Sequence, residues 1–445
     1  MNEIDSRCLP ADDPLRRVLH NEIHARPSAR VRLPALIVYV AVLHVGVTRE
    51  QERAHLQRLP GHADLTAEQL QANFLRLRCD GFTVKWERHT EFTRYSIVQP
   101  LPAHVRWGDC LPDLVPHVAT GADWLRQIPG QTVAAIELAM LPVGLDAPHW
   151  MAQAQDWLGE GAIIGSRMGH TSEGQSHSCL LTHFHIGVDG FERMLVLAPA
   201  DTPEGRAGRI SQRVLELETY RLMALRGLPV AKQLSPVLAQ AEAQLADITA
   251  RLEKQQGGDQ ALLDDLVGLA ARVERATAEH GYRFSATRAY DRLVSERIAE
   301  LRERPLPGTQ TVGEFMQRRL SPAMTTVDAT SRRLAALSER VSRTSALLRT
   351  RVDIATEAQN QQLLEKLTRG QDLQLRLQST VEGLSIAAIS YYVVSLLLYG
   401  AKALKLAGVP IQPELAVGAM VPLVLWGVWK TVQRIHDRLH RASGH

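Results

Sequence analysis

Residues 384–401 read L-S-I-A-A-I-S-Y-Y-V-V-S-L-L-L-Y-G-A, and residues 416–429 read A-V-G-A-M-V-P-L-V-L-W-G-V-W. Between them, residues 405–415 read K-L-A-G-V-P-I-Q-P-E-L. A spanning helix needs about 20 mostly apolar residues, or about 17 at the short end. The stretches 384–406 and 415–432 each reach that length if their end lysines snorkel toward the headgroups. A core helix this long in a soluble protein usually keeps a polar stripe. We therefore expect a two-helix transmembrane hairpin over 384–432, with most of the chain outside the bilayer. A hairpin buried in a soluble core is the competing reading.

Downstream of the hairpin, Lys430, Arg434, Arg438 and Arg441 are opposed only by Asp437. Such a basic tail belongs on the cytoplasmic side. The opening M-N-E-I-D-S-R-C-L-P-A-D-D-P has no apolar run of the kind a secretory signal needs. The expectation is a multi-pass inner-membrane protein with both termini cytoplasmic and the lipid bilayer as a partner. Lys402 and Lys405 in the loop pull against that orientation.

Upstream, no Gly or Pro lies between Pro322 and Gly370, so one long helix should lead from Ser321-Pro322 into the first span. Its apolar positions Leu334, Leu337, Val341, Leu348 and Val352 are spaced 3, 4, 7 and 4. Leu363, Leu367, Leu377, Val381 and Leu384 follow. This is a heptad-like seam, which asks for a partner helix. From residue 331 to 384 such a helix is about 80 Å long. A homo-oligomer, or packing back onto the helices of 204–304, is implied.

The 445 residues should form two or three domains. With 45% hydrophobic and 22% charged residues the chain is globular, and a net charge of +3 is too small to argue for a nucleic-acid partner. Cys8, Cys79, Cys110 and Cys179 form no C-x-x-C pair, which fits a reducing compartment and argues against structural zinc or a disulfide framework. Residues 1–200 read as a mixed α/β domain. Alternating or continuous apolar runs suggest strands at 35–45, 81–89, 92–99, 132–141, 161–167, 178–188 and 193–197, with Asp189-Gly190 as a hairpin turn. Helices are expected from Asp12-Asp13-Pro14 toward His24, at 48–59 and at 65–77. Beyond Glu204 the signals are helical, over 204–226, 230–254, 259–280 and 285–304, divided at Gly227, Gly257-Gly258, Gly281 and Pro305–Gly308. The fold class is α+β, with the mixed domain over 1–200, a helical bundle and stalk over 204–383, the hairpin over 384–432 and a basic tail over 433–445.

Four groups of residues are candidates for chemistry. Ser385, Tyr392, Ser395, Tyr399 and Lys402, spaced 7, 3, 4 and 3, share one helical face and form either a pore lining or a polar helix–helix seam. His20 and His24 stand at i, i+4, but H-N-E-I-H is not the H-E-x-x-H zinc motif and lacks a third ligand, so packing or capping is favoured. His183 and His185 alternate on a strand, which would turn both rings to one side as a pocket wall or as ordinary sheet-face histidines. Trp86 and Glu87 lie in a charge-dense strand pair, read as a ligand pocket or a cross-strand ion ladder. The phosphate-loop, dinucleotide and nucleophile-elbow motifs are absent from the sequence. No catalytic residue, metal or cofactor is assigned, and the chain is expected not to be an enzyme.

Five stretches carry a resemblance: H-N-E-I-H-A-R-P (20–27), W-E-R-H-T-E-F (86–92), Q-R-V-L-E-L-E-T-Y-R (212–221), A-L-L-R-T-R-V-D (346–353) and Q-L-R-L-Q-S-T-V-E-G-L-S (374–385). They resemble the signatures of an uncharacterised bacterial family of membrane-anchored proteins, over nearly the whole chain. The resemblance implies an anchor and brings no activity. The architecture also resembles CorA-type divalent-cation channels, pentamers whose first span lines the pore and ends in Tyr/Phe-Gly-Met-Asn. Here Tyr399 and Gly400 match, and Ala401 and Lys402 do not. A lysine ring at that mouth would repel a divalent cation. The resemblance thus implies an oligomeric ion channel or transporter, pentameric if CorA-like, without the Gly-Met-Asn signature. The alternative is a non-transporting membrane-anchored scaffold or ligand-binding protein.

Overall fold

A computed structural model describes residues 13–17, 19–20, 28–145, 149–169, 177–256, 258–406 and 412–442, with side chains to 434 in the last stretch. Of the expected helix from Asp12 toward His24, residues 16, 17, 19 and 20 are helical, while residues 21–24, like the cysteine at position 8, lie outside the described residues. The chain divides into two compact units, one of residues 1–257 and 264–344, the other of 258–263 and 345–445.

The first unit is built on a nine-stranded sheet. In chain order its strands are β1 (Ala35–Leu43), β2 (Phe74–Cys79), β3 (Phe82–Arg88), β4 (Phe92–Pro100), β5 (Gln131–Pro142), β6 (Ile164–Met168), β7 (Ser178–Ile186), β8 (Glu192–Ala198) and β9 (Arg304–Pro305). They lie in the order β2-β3-β4-β1-β5-β8-β7-β6-β9. Neighbours are antiparallel except β5 and β8, which run parallel. All nine residues of β1 are buried, because both faces of the sheet are covered. Ile37, Tyr39 and Ala41 enter one core, and Leu36, Val38 and Val40 enter the other.

Ten helices are described. The second core takes residues from α1 (Arg49–Leu56), α2 (Ala67–Gln71), α3 (Ala122–Arg126) and α4 (Trp150–Leu158). The first takes residues from α5 (Glu204–Leu225), α7 (Asp259–Leu301) and α8 (Val312–Arg319), while α6 (Gly227–Glu253) follows α5 directly. Thr48 and Thr311 start α1 and α8 with reciprocal capping boxes to Gln51 and Glu314. The last two helices are α9 (Ser321–Leu406) and α10 (Pro413–Ala442).

The second unit holds the start of α7, α9 from residue 345 onward, and α10. Arg351 pairs with Asp259 at 3.2 Å, and Leu262 and Leu348 are buried.

All seven expected strands form. Two expectations on helices are corrected. Residues 65–77 are not one helix: α2 ends at Gln71, Asn73 takes a left-handed φ of 55°, and β2 begins at Phe74. In β2, Leu75 and Leu77 pair opposite Trp86 and Val84, so tertiary pairing overrides the local helical spacing. Gly281 does not break the chain, since α7 runs through it for 43 residues. A lone glycine weakens a helix by only about 1 kcal/mol.

Candidate functional site

Within the stretch 384–432, residues 384–406 and 413–432 are helical. Two helices are long and apolar enough to span a membrane: α9, which ends at Leu406, and the 413–434 portion of α10. Only 6% of either apolar window is buried. Leu384, Leu396, Leu415, Leu423 and Trp426 are all exposed, whereas Ser390 and Val417 are covered. Near the end of the apolar stretch of α10 the Lys430 ammonium lies over the Trp426 ring, 4.6 Å from its centroid. A cation held on an interfacial aromatic is the pairing expected where a helix leaves the hydrocarbon. Ser385, Tyr392, Tyr399, Gly400 and Lys402 are exposed and Ser395 is half-buried. The polar face read from the sequence is therefore uncovered within one chain.

The four residues proposed for a ligand pocket are not brought together. Strand alternation puts Trp86 in one core, with Tyr95 and Ile97, and Glu87 on the opposite face, under α5. The two histidines do not face one side. Phe184 between them has φ 52° and the β7–β8 register shifts there, so His183 is buried and His185 is exposed. The extra residues of a bulge break the alternation on which the one-sided reading rested. His20 is described, but residues 21–27, including His24, lie outside the described residues.

Glu87 belongs to a continuous ion network. Its partners are Lys85, at 3.2 Å, and Arg94, directly opposite on β4. Arg94 also reaches Glu216 of α5 at 3.1 Å, and Gln212 donates to the same carboxylate at 2.8 Å. From Glu216 the chain of charges passes to Arg297 of α7 at 3.6 Å, on to Glu300 at 2.7 Å, and from there to Arg213 at 3.0 Å. Burial would raise the Glu87 pKa, but Arg94 and Lys85 more than offset it and hold the carboxyl below its usual range. Burial lowers the pKa of Lys85, against the pull of Glu87. A cavity of about 20 Å³ beside these groups is of the size of a single water. There is no room for a substrate. The arrangement locks α5 and α7 onto the sheet, and loss of one partner would strand a buried charge at about 3–5 kcal/mol. Of the two sequence readings of Trp86 and Glu87, the cross-strand ion pair is the one the geometry displays.

Sequence reasoning missed three further buried carboxylates, Glu192, Glu218 and Glu137. Glu192 on β8 shares a hydrogen bond with Glu218 of α5, and burial followed by the Glu218 charge pushes its pKa well up. Arg221 donates to Glu218 at 2.7 Å. Glu137 on β5 is 1% exposed, with Arg193 at 3.5 Å, and burial pushes its pKa up to about 7. For the Glu87 network the available signal was the period of two: Lys85 and Glu87, like Arg94 and Ser96, sit on inward positions of strands.

A family model described as "Protein of unknown function (DUF3422)" matches residues 11–439. No curated protein matches, and no solved structure matches. The architectural resemblance to CorA-type channels thus rests on the sequence and the order of elements.

Proposed function

This chain belongs to the family described as "Protein of unknown function (DUF3422)", and we propose that it is an inner-membrane protein anchored by two spans, with a non-enzymatic binding or scaffold domain on the cytoplasmic side. The observation that carries this reading is the uncovered apolar surface of α9 and α10, whereas the first unit closes its own cores. Exposed apolar faces of that length find a matching solvent in a bilayer, not in water. Two spans return the chain to its starting side, and the basic residues after the second span support a cytoplasmic tail.

The test uses the full chain. Washing membranes with alkaline carbonate should leave the protein in the pellet, and release into the wash would remove the anchor. For orientation, a cysteine placed by Gln412→Cys should react with an impermeant thiol reagent from outside intact cells, while the native cysteines stay unlabelled. Labelling of the native set in preference to position 412 would invert the topology.

A second reading, an oligomeric pore, is supported by the exposure of Ser385, Tyr392, Tyr399 and Lys402. Five such faces could line a conduit whose mouth carries a lysine ring, and Lys402→Asn should then raise divalent flux into liposomes. A monomer in detergent, or liposomes equally tight to Mg²⁺, Ni²⁺ and chloride, would leave the scaffold alone.

A further inference from the structure

A cleft of about 420 Å³ lies in the first unit, between α7 and the start of α9. Its volume is within the usual range for ligand pockets, about 300–1,000 Å³. The wall is polar: Met324 and Val327 are its apolar side chains, beside two arginines, two aspartates and three hydroxyl residues. The charges in this wall do not close on one another. Arg288 and Asp291 stand three residues apart on α7, where side chains are neighbours, yet they form no ion pair. Arg288 instead reaches Asp328 of α9 loosely, at 3.9 Å. The other oxygen of that carboxylate is held by Arg332, one turn along α9. Asp291 is half-buried, and its carboxylate has no ion-pair partner among the described residues. Burial pushes its pKa up.

A buried hydroxyl in the same wall independently indicates a ligand. Thr287 lines the cleft, is 1% exposed, and its Oγ1 has no hydrogen-bond partner. Other helical threonines, among them Thr219, Thr249, Thr277 and Thr325, donate to the carbonyl four residues back. The Thr287 hydroxyl makes no such bond. Its neighbour at the start of α6 is Gly227, which brings no side chain to complete it. An unpaired buried hydroxyl costs about 1–3 kcal/mol, so such a group normally faces something that satisfies it.

We propose that this cleft binds a small zwitterion of the α-amino acid class, with its ammonium on Asp291, its carboxylate on Arg288, and a hydrogen bond from Thr287 to that carboxylate. Arg288 and Asp291 present opposite charges one turn apart, and a ligand carrying both charges on one carbon answers the two together. A phosphate would stand beside the like charge of Asp291, and a metal ion beside that of Arg288. Thr325 donates its hydroxyl hydrogen to the Ser321 carbonyl at 2.9 Å, which leaves its oxygen as an acceptor for the ammonium. The wall holds no aromatic ring, so the ligand's own side chain is aliphatic or polar and is not held by stacking. The proposal concerns the first unit alone and stands whether or not the chain is anchored in a membrane.

The test is titration calorimetry on the full chain in detergent, with glycine, L-alanine and L-glutamine as probes. Acetate and methylammonium, which carry one charge each, are the controls. At least one amino acid should bind saturably at one site per chain, and both controls should bind about tenfold more weakly or not at all. Asp291→Asn should weaken the best probe by about tenfold or more, without lowering the thermal midpoint of the ligand-free protein, because the carboxylate it removes has no partner there. Arg288→Gln should weaken the same probe to a similar extent, and Thr287→Ala by severalfold. Glu296→Gln, on α7 outside the cleft, should leave binding as it was. Absence of saturable heat with all three amino acids would overturn the proposal. So would acetate or methylammonium binding as tightly as the best amino acid, or undiminished binding by Asp291→Asn.

Discussion

Glu137 shows how much one buried carboxyl can set. Its side chain sits at the covered β5–β8 seam opposite Arg193, neither carboxylate oxygen meets a hydrogen-bond donor, and burial pushes its pKa up to about 7. Arg193 draws it down, while Asp189 and Asp113 push it up. The folded chain therefore retains a proton that the unfolded chain releases near the ordinary carboxylate value. The stability that Glu137 contributes is full below that ordinary value and is lost as pH rises through about 7. The loss is on the order of 3 kcal/mol by linkage. Glu137→Gln should flatten that slope, so wild type should lose more thermal stability than the variant between pH 5 and pH 8. Parallel pH profiles for the two proteins would mean that the carboxyl is ionised throughout. None of this was legible from the sequence. Glu137 looks like any polar residue in an apolar strand run, and only pairing with β8 shows that its face is covered. Glu87 was half legible, because Arg94 is its hairpin partner nearby in the chain. Glu216 and Arg297 come from distant helices and could not be read.

At the scale of elements, the sheet was legible where strands alternate or run apolar between turns. That is why β1, β3, β4, β5 and the β7–β8 hairpin fall where periodicity puts them. It failed where partners decide: β2 exists because β3 pairs with it, and the β7 bulge exists because Ile186 must reach Glu192. The seat of α5 depends on a contact that periodicity also cannot show. A Cβ built on Gly208 would stand 1.6 Å from the Ala29 carbonyl oxygen, and Val31 donates its N–H to the Glu204 carbonyl at 3.1 Å. The strand-side segment thus runs against the first turns of α5. The obstacle is backbone, which no rotamer change can relieve. Gly208→Ala should therefore destabilise the chain by about 2–3 kcal/mol or more, despite alanine's better helix propensity. Urea unfolding of the first unit would read this, with Gly268→Ala in α7 as control, since a Cβ there meets nothing. Equal or greater stability of Gly208→Ala would show that α5 can move off the segment.

At the scale of the molecule, the seam along α9 divides into two parts. Leu334, Leu337, Val341 and Leu348 are buried. Farther along, Leu363 and Leu367 are each 58% exposed and Leu384 is 73% exposed, though the heptad spacing continues. The spacing was legible from the sequence because periodicity is local, and the point where cover ends was not, because cover depends on what packs there. An apolar stripe on a helix otherwise rich in charge is stable in water when another helix lies on it. A second copy of the same chain supplies an identical stripe, and the two spans would hold copies parallel in one membrane, which favours self-association over capture of an unrelated helix. The full chain purified in mild detergent should therefore run as an oligomer by light scattering. Leu363→Asp combined with Leu367→Asp should shift it toward monomer while leaving the first unit's thermal transition in place, because neither residue is buried in a single chain. An unchanged mass for the double variant would place the contacts in the spans, where Tyr392 and Tyr399 are also uncovered. A monomeric wild type would leave the exposed seam without a second copy, and would remove the pore reading with it.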